Sequence, residues 1–577
     1  MRRESHGEAD LASHTRAGLG YLRIIPDTQG IRVTARRPGG YEMTALNPRI
    51  RSAARIGLAG LAAFTVPVTA CAGAGPDTAP VSIDLVINDT VGALTAPFVN
   101  FVFSPFPGTA FPWIVMWLIA AAVIFTVYFG LIQIRGFGHA LALVRGKYDN
   151  KKDPGEVSHF QALSTALSGT VGLGNIAGVA VAVSVGGPGA TFWMILAGFL
   201  GMATKFTECT LGVKYRNEFA DGHVSGGPMY YLSKGLAARG FAVPGRIMAA
   251  TFAVFCILGS FGAGNMFQAN QVHAQLVNVT GGDASMLAGQ GWITGLILAV
   301  IVFTVIVGGI KSIATFAEFI VPIMAIIYCG AALIIIGMNI EKLPWAIGQI
   351  VNGAFTGAGV AGGMLGALIQ GFRRASFSNE AGIGSAAIAH SAVKTKHPVT
   401  EGLVSLLEPF IDTIVICTCT ALVIVMTGVL QIDPATGLYV WNAEAGRIAT
   451  QGNLTGVELT SAAFESAFWW FPYVLAVAVI LFAFSTLISW SYYGLKSWTY
   501  LFGEGRAREI TFNSIYCSMV VVGAAINLNH VIDFADAAIF SMALINITGL
   551  YILMPEVKRD LAEYLAKLKS GEIAPHT

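Results

Sequence analysis

Residues 167–180 read LSGTVGLGNIAGVA and lie within a long apolar stretch. Four glycines stand there together with a serine, a threonine and an asparagine, and these residue types are poor helix formers. The stretch therefore predicts a membrane helix that is interrupted near its centre, at residues 168–175 (SGTVGLGN), which we call the first break.

The composition is that of a membrane protein. Of the 577 residues, 54% are hydrophobic and 12% are charged, whereas soluble domains carry roughly twice that share of charge. The chain contains 7 cysteines but no Cys-X-X-Cys pair, and all but one of them lie in or near apolar stretches. Neither a disulfide framework nor a zinc site is predicted.

Apolar stretches of this length predict eleven membrane-spanning helices. Spans 1 to 11 are residues 112–134, 159–185, 189–212, 246–277, 291–308, 315–337, 362–391, 402–429, 466–491, 511–528 and 534–553. The predicted fold class is an all-α polytopic membrane protein.

Lysine and arginine are concentrated in alternate loops. They are frequent after the odd-numbered spans, while the other loops contain almost only Lys342 and Arg447. The positive-inside rule then places the C-terminus in the cytoplasm of a bacterial inner (plasma) membrane and the mature N-terminus outside. Residues 76–111, which contain no Lys or Arg, are predicted as a periplasmic segment, and residues 556–577 as a basic amphipathic tail on the inner membrane surface.

An exported N-terminus requires a targeting signal, and residues 43–75 fit one. Three arginines precede the apolar run IGLAGLAAFTVPVTA and the small-residue run CAGAG, which is the order of a cleavable signal peptide. We expect cleavage near residues 70–74, although VTAC also resembles a lipoprotein box, so lipidation of Cys71 stays open. Residues 1–42 are either a disordered leader or an upstream extension before a start at Met43.

Spans 2 and 7 share one pattern, in which a polar, glycine-bearing centre separates two apolar halves. In span 7 the centre reads SFSNEAGIG, residues 376–384, which we call the second break. The two spans are five apart, so the copies lie inverted, as in transporters that are built from inverted repeats. Residues 112–555 are thus predicted as a transporter domain with one N-terminal helix and two five-helix repeats, 159–337 and 362–553.

A broken helix can form a binding site from its main chain. The half-helix that begins after the break presents free N–H groups, and the one that ends there presents carbonyls, so the two ends suit a carboxylate and a cation. Gly172 and Gly174 allow close approach of a ligand, and Thr170 and Asn175 add oxygen ligands for a hard cation. The alternative is a kinked helix with small-residue packing contacts, which is the simpler interpretation at the flanking glycines.

Motifs for other chemistries are incomplete. GLGNIA fits a dinucleotide-binding pattern but follows no predicted strand, and GGIKS lacks a glycine that a phosphate-binding loop requires. HExxH and GxSxG do not occur. We therefore predict no enzyme activity, no bound cofactor and no nucleic-acid partner. A channel for small solutes or ions is the alternative to a transporter, although a channel filter is usually built by oligomeric symmetry; the oligomeric state is left open.

Five ordered motifs resemble one transporter family closely. They are GTVGLGNIAGVAVAVSVGGPGATFWMILAGFLGMATKFTE, GGPMYYL, GNMFQANQ, FRRASFSNEAGIGSAAIAH and FAFSTLISWSYYG. The chain resembles the alanine or glycine:cation symporters, also called sodium:alanine symporters, and departs from them at Ile195, where a second tryptophan is common. The first break is also similar to the first broken helix of the neurotransmitter:sodium symporters, which share the five-plus-five fold. The resemblance implies import of small neutral amino acids (alanine, glycine) coupled to Na⁺, or to H⁺ in some members.

The resemblance also implies roles for individual residues. The substrate would contact Thr170, Gly172, Leu173, Gly174, Gln268, Phe377 and Trp490. Its carboxylate would bind the backbone amides of Leu173 and Gly174. Na⁺ would contact Ser168, Thr170, Val171, Asn175, Ser485 and Thr486. The Thr170 carbonyl and the Asn175 side chain would face one Na⁺ position, and the other four residues would face a second.

Alternatives remain for several of these residues and for the charges at membrane depth. Phe377 and Trp490 also fit core aromatics, and Gln268 also fits an interhelical hydrogen bond. The ionisable residues in the spans are Arg373, Arg374, Glu380, Glu208, Glu318, Glu408 and Asp412. We expect a structural ion pair, such as Arg373 with one of these acids, in preference to a gate or a cation path.

Overall fold

The structure is a computed structural model that describes residues 22–27, 30–35 and 83–575, apart from 110, 151, 221 and 357–362. The predicted signal peptide and Cys71 lie outside the described residues. Strands β1 (Leu22–Asp27) and β2 (Gly30–Ala35) pair antiparallel. They belong to a separate unit from the helices, and the choice between a leader and an upstream extension stays open.

The remainder of the described chain is mostly helical. The α-helices of five or more residues are α1 Ile83–Val102, α2 Trp113–Tyr128, α3 Phe137–Val144, α4 His159–Thr170, α5 Val179–Gly186, α6 Gly189–Lys214, α7 Ala242–Phe261, α8 Phe267–Val279, α9 Gly291–Ile306, α10 Gly309–Met338, α11 Leu343–Thr356, α12 Gly363–Asn379, α13 Ala386–His390, α14 Pro398–Val404, α15 Thr418–Met426, α16 Gly456–Glu465, α17 Phe471–Phe502, α18 Arg506–Ala525 and α19 Leu528–Ser570. Shorter α-helical or 3₁₀ turns are Ile132–Arg135, Pro228–Tyr230, Leu236–Ala238, Gly282–Ala284, Ile340–Lys342, Leu407–Pro409 and Gln451–Asn453.

Two loops contain antiparallel strands of two residues each, within a fold that is mostly helical. Strand β3 (Asn217–Glu218) pairs with β4 (Val224–Ser225), and β5 (Trp441–Asn442) pairs with β6 (Arg447–Ile448). Each pair is closed by a turn that includes a glycine of positive φ, which brings the chain back on itself.

Within the described residues, seven helices or continuous helix pairs are long and apolar enough to cross a membrane, and the bent pair α4–α5 makes eight. The seven are Ile83–Val102, Gly189–Lys214, Ala242–Val279, Gly309–Met338, Pro398–Met426, Phe471–Phe502 and Leu528–Ser570. Helices α2 and α9 are also apolar but only 16 residues long each. The chain is thus a multi-pass helical membrane protein, while the count of eleven spans and the inverted repeat stay predictions.

Helix α1 is an element that the sequence analysis missed. It lies in residues 76–111, which were predicted only as a periplasmic segment. The helix was not recognised because polar residues interrupt its apolar face. Asp84 accepts a hydrogen bond from the Gly291 amide at the start of α9, at 2.8 Å. Asn88 accepts one from the Asn527 amide just before α19, at 3.0 Å. The polar residues of α1 therefore satisfy free N–H groups at the starts of two other helices.

Small residues set the close packing of the helices around α6. Gly402 of α14 faces this helix, and a Cβ added there would overlap the Thr210 hydroxyl and lie 2.7 Å from the Phe206 carbonyl oxygen. Such close approach is typical of helix contacts in membranes. Small residues let the helices come close, and van der Waals packing then stabilises the contact.

Gly402→Ala should lower the free energy of unfolding by about 1–3 kcal/mol, because the added methyl group has no room between α14 and α6. The measurement is the thermal unfolding midpoint of the purified protein in detergent. Gly330→Ala in α10 is the matched control, since a Cβ there meets no atom within 4 Å. Equal midpoints for the two variants would contradict the packing argument.

Candidate functional site

The first break interrupts the helix as the sequence predicts. Helix α4 begins with a capping box in which Ser158 and Gln161 exchange hydrogen bonds. It ends at Thr170, and a π-helical segment, Gly174–Gly178, continues into α5 at an angle of 52° to α4. The whole break is buried, so its main-chain polar groups need partners inside the protein.

Gln268 supplies one of these partners. The Leu173 amide donates to Gln268 Oε1 at 3.1 Å, and Gln268 Nε2 donates to the Ala263 carbonyl at 3.0 Å. Ala263 lies in a second π-helical segment, Gly262–Met266, where α7 continues into α8. The π-helical segment thus orients the side chain that faces the first break, which is a common use of this geometry at functional sites.

Hydroxyl and carbonyl oxygens collect on the α4 side of the break. Ser168 Oγ donates to the Ser485 carbonyl at 2.8 Å, and Ser489 Oγ lies 2.9 Å from Ser168 Oγ. Thr486 Oγ1 is buried and has no hydrogen-bond partner within the described part of the chain. A Cβ added at Gly172 would collide with this hydroxyl. Of the six predicted Na⁺ ligands, Ser168 and Ser485 are in contact on this side, and Thr486 lies against Gly172, the residue that follows Val171.

Asn175 lies on the other side of the break and is engaged with protein groups. Its Oδ1 accepts from the Gly172 amide at 2.9 Å. Its Nδ2 donates to Asp412 Oδ1 at 2.7 Å and to the Asp412 carbonyl at 3.0 Å. The Thr170 hydroxyl donates back to the Ala166 carbonyl at 3.2 Å, so on this residue the carbonyl is the group predicted to face a cation.

Asp412, one of the ionisable residues noted in the spans, lies between the two breaks. It is fully buried in the π-helical segment Phe410–Cys417, and its Oδ2 accepts from Ser378 Oγ and Thr413 Oγ1, both at 2.7 Å. Among the described residues, no lysine, arginine or histidine contacts it. Asp412 therefore joins Asn175 of the first break to Ser378 of the second while keeping a carboxylate without a cationic partner.

The ion pair expected for Arg373 has a different partner from the one predicted. Arg373 and Arg374 both pair with Asp536 of α19, which was not among the acids considered. A structural ion pair was expected and is present, but the predicted partner was wrong, because the pairing depends on the packing of α12 against α19. Of the other acids, Glu408 pairs with Lys205, and Glu208 accepts a hydrogen bond from the Asn546 side chain. Glu318 is half-buried.

At the second break, a lysine binds the end of α12 and the following backbone turns through residues with positive φ. Helix α12 ends at Asn379, whose carbonyl accepts from Lys205 Nζ at 2.8 Å. The ammonium group thus sits at the negative end of the α12 dipole. Glu380 follows with φ of 56°, and Gly382 and Gly384 also have positive φ before α13 begins.

Aromatic residues face the breaks from two sides. Phe377 packs edge-on against Phe267, with ring centroids 5.1 Å apart, and a Cβ added at Gly174 would lie 3.4 Å from the Phe377 ring. Trp490 is buried against Gly264, and its indole N–H donates to Glu380 Oε1 at 2.9 Å. Phe377 thus lies directly at the first break, and Trp490 is fixed by the carboxylate of the second.

The comparisons agree with this geometry. Two helical interruptions meet around amide donors, a group of oxygens and the Asp412 carboxylate, inside a multi-pass chain, and such an arrangement is typical of secondary transporters. The chain belongs to the sodium:alanine symporter family, whose family model matches residues 97–577. The predicted family is confirmed. Its members are sodium-coupled amino-acid symporters, so the chain is a transporter of this class and not an enzyme.

Relatives cover most of the chain. The sodium/alanine symporter AgcS of Methanococcus maripaludis is 39% identical over 443 residues, which span 77% of this chain and 92% of that protein. The probable sodium/glutamine symporter GlnT of Bacillus subtilis is 35% identical over 463 residues, 80% of this chain and 89% of that protein. The solved structure of MhsT in complex with L-phenylalanine matches with a TM-score of 0.48 and 13% identity, over 68% of this chain and 89% of that one.

Gly172→Ala should reduce sodium-driven amino-acid uptake by more than about tenfold, because the methyl group would displace the Thr486 hydroxyl from the first break. Gly178→Ala is the control, since a Cβ at Gly178 approaches no atom closer than the Leu173 carbonyl oxygen at 4.0 Å. Uptake is measured in proteoliposomes that contain equal amounts of protein. A comparable loss of uptake in both variants would contradict the prediction, because the loss would then not depend on displacement of the Thr486 hydroxyl.

Proposed function

We propose that the protein imports alanine and glycine together with Na⁺ across the bacterial inner membrane. In this proposal the processed N-terminus lies outside and the C-terminus lies in the cytoplasm. The observation that supports it best is the first break, a buried stretch of unwound main chain that offers the Leu173 amide and lies against the Thr486 hydroxyl and the Phe377 ring.

The carboxylate of the substrate would bind at the Leu173 and Gly174 amides. Leu173 donates to the neutral amide oxygen of Gln268, and a carboxylate is a stronger acceptor than an amide oxygen. A substrate could therefore replace Gln268 at this donor. Helix α5 extends away from the break, so its partial positive charge also favours an anionic group there.

The surroundings of the first break favour a small side chain. Phe377 lies within van der Waals distance of the position that a Cβ at Gly174 would occupy, and Trp490 is packed against Gly264. Hydrogen bonds from Trp490 and Ser385 hold Glu380, which keeps this carboxylate from serving as the partner of a basic side chain.

Unlabelled glycine and alanine should compete with radiolabelled alanine at least about tenfold better than leucine, glutamine, lysine or glutamate, because a larger or charged side chain has no room or partner beside Phe377. Uptake is measured in proteoliposomes with and without an inward Na⁺ gradient. Competition by leucine or glutamine equal to that by alanine would refute the assigned substrate class.

Two cation positions would flank this substrate. The first comprises the Ser168 and Val171 carbonyls with Ser485 and Thr486, where an unpartnered hydroxyl is already buried among oxygens. Oxygen atoms of this kind are the ligands that hard cations prefer.

The second position lies between the Thr170 carbonyl and Asn175, and we add Asp412 to it. An ionised carboxylate is costly at membrane depth unless a cation compensates it. Asp412 accepts only from neutral groups, so Na⁺ would supply the missing charge. A proton on Asp412 would do the same, which is the chemical form that coupling to H⁺ would take.

Asp412→Asn and Thr486→Ala should each raise the Na⁺ concentration for half-maximal alanine uptake by about tenfold or more, because each removes one ligand of a cation position. Asp433→Asn, on an exposed loop, and Thr304→Ala, on the exposed side of α9, are the matched controls. Unchanged Na⁺ dependence in both test variants would place the cations elsewhere. Alanine uptake by the wild type that follows a pH gradient without Na⁺ would assign the coupling to H⁺.

A further inference from the structure

Two arginines of α12 share a single carboxylate. Arg373 Nη2 donates to Asp536 Oδ2 at 2.8 Å, and Arg374 Nη2 donates to the same oxygen. Asp533 lies 3.9 Å from Arg373, but its side chain is 51% exposed and contributes little. The buried part of this cluster thus contains two positive charges and one negative charge.

The cluster also has hydrogen-bonding capacity to spare. Arg374 is 2% exposed, and within the described residues its Nε and Nη1 have no hydrogen-bond partner, nor has Arg373 Nε. The second oxygen of Asp536, Oδ1, is also without a partner, so three donors stand beside one free internal acceptor. Unpaired guanidinium N–H groups are costly when buried. A planar ligand with two anionic oxygens would satisfy them, because a carboxylate matches the guanidinium fork.

The cluster lies directly beside the proposed substrate pocket. The Arg374 guanidinium carbon is 5.1 Å from the centre of the Phe377 ring, and Phe377 lies at the first break. Arg374 stands one helical turn nearer to the start of α12, which the predicted topology places outside. A solute that enters from outside would therefore meet Arg374 before it reaches the Leu173 amide.

We propose that Arg373 and Arg374 form an outer subsite that binds the carboxylate of the incoming amino acid before it moves to the first break. Asp536 is the internal anion that the substrate carboxylate replaces there. This replacement releases the contact between α12 and α19, and Asp536 restores it once the substrate has passed inward. Phe103 holds the Arg373 guanidinium over its ring at 4.3 Å, which keeps that group in place during the exchange.

The inference rests on the proposed function, since it uses the same substrate. A purely structural ion pair would not require a second arginine, and the free Asp536 oxygen could serve only part of the unpartnered donors. The two interpretations differ in whether inhibition by a carboxylate that lacks an amino group depends on Arg374 and Asp536, because competition at the Leu173 and Gly174 amides would not depend on them.

The test measures inhibition of Na⁺-driven alanine uptake by external propionate, which is alanine without its amino group. Ethylamine, which is alanine without its carboxylate, is the control compound. Propionate should raise the KM for alanine in the wild type, and Arg374→Gln should weaken this inhibition by about tenfold and raise the KM for alanine with little change in the maximal rate. Arg374→Lys should lie between the two, because it keeps the charge but not the fork.

Asp536→Asn should change the inhibition by propionate in the opposite direction to Arg374→Gln. Removing the internal anion should strengthen inhibition by propionate several-fold, whereas a structural role predicts only loss of protein or of rate. Arg506→Gln, an exposed arginine at the start of α18, is the matched control. If Arg374→Gln is not stable, the paired variant Arg374→Gln, Asp536→Asn removes both partners and leaves no unpaired carboxylate from this pair.

Inhibition by propionate that is equal in the wild type, Arg374→Gln and Asp536→Asn would overturn the outer subsite while leaving alanine transport intact. Failure of the proposed function is distinguishable, because the wild type would then import no alanine in the same vesicles. Inhibition by ethylamine as strong as that by propionate would also overturn the inference, since the subsite recognises a carboxylate.

Discussion

The whole arrangement depends on one constraint, which is that unwound main chain at membrane depth must find hydrogen-bond partners. The first break and the turn after it meet this constraint with side chains, one from the break itself and two from other helices. Gln268 accepts from Leu173, Asn175 accepts from Gly172, and Thr460 of α16 donates to the Ile176 carbonyl. These contacts bring α8 and α16 against the break, so the binding surface and the packing of the helices have the same cause.

The buried acids of the described chain are of two kinds: some contact basic side chains, while Glu208, Glu380 and Asp412 accept hydrogen bonds only from neutral groups. Glu401 lies between His159 and His390, and Glu408 contacts Lys205. These acids have basic partners, as buried charges normally do. Asp412 contacts only neutral donors, and it is the acid that touches both breaks, so compensation of its charge is tied to the state of the site.

The sequence predicted the parts of this site that are local. The glycines and polar residues of the first break predict an interrupted helix from the local sequence alone. The family resemblance predicted that Thr486 and Gln268 lie near it. The partner of Arg373 and the isolation of Asp412 could not be predicted, because each depends on which distant helices pack together. Helix α1 was missed for a related reason, since its polar residues serve the ends of other helices and weaken its own apolar pattern.

The link between the breaks gives a physical basis for coupling. One Na⁺ that enters down about 100 mV gains about 2.3 kcal/mol, and a tenfold gradient adds about 1.4 kcal/mol. This free energy is useful only if substrate and cation bind together. In the proposed site, Asp412 and the substrate carboxylate are two negative groups separated by Asn175 and the main chain of the first break. In a medium of low dielectric constant they repel each other strongly unless a cation lies between them. Binding of the substrate therefore requires the cation, and the ion in turn is held more tightly when the substrate supplies its second negative charge.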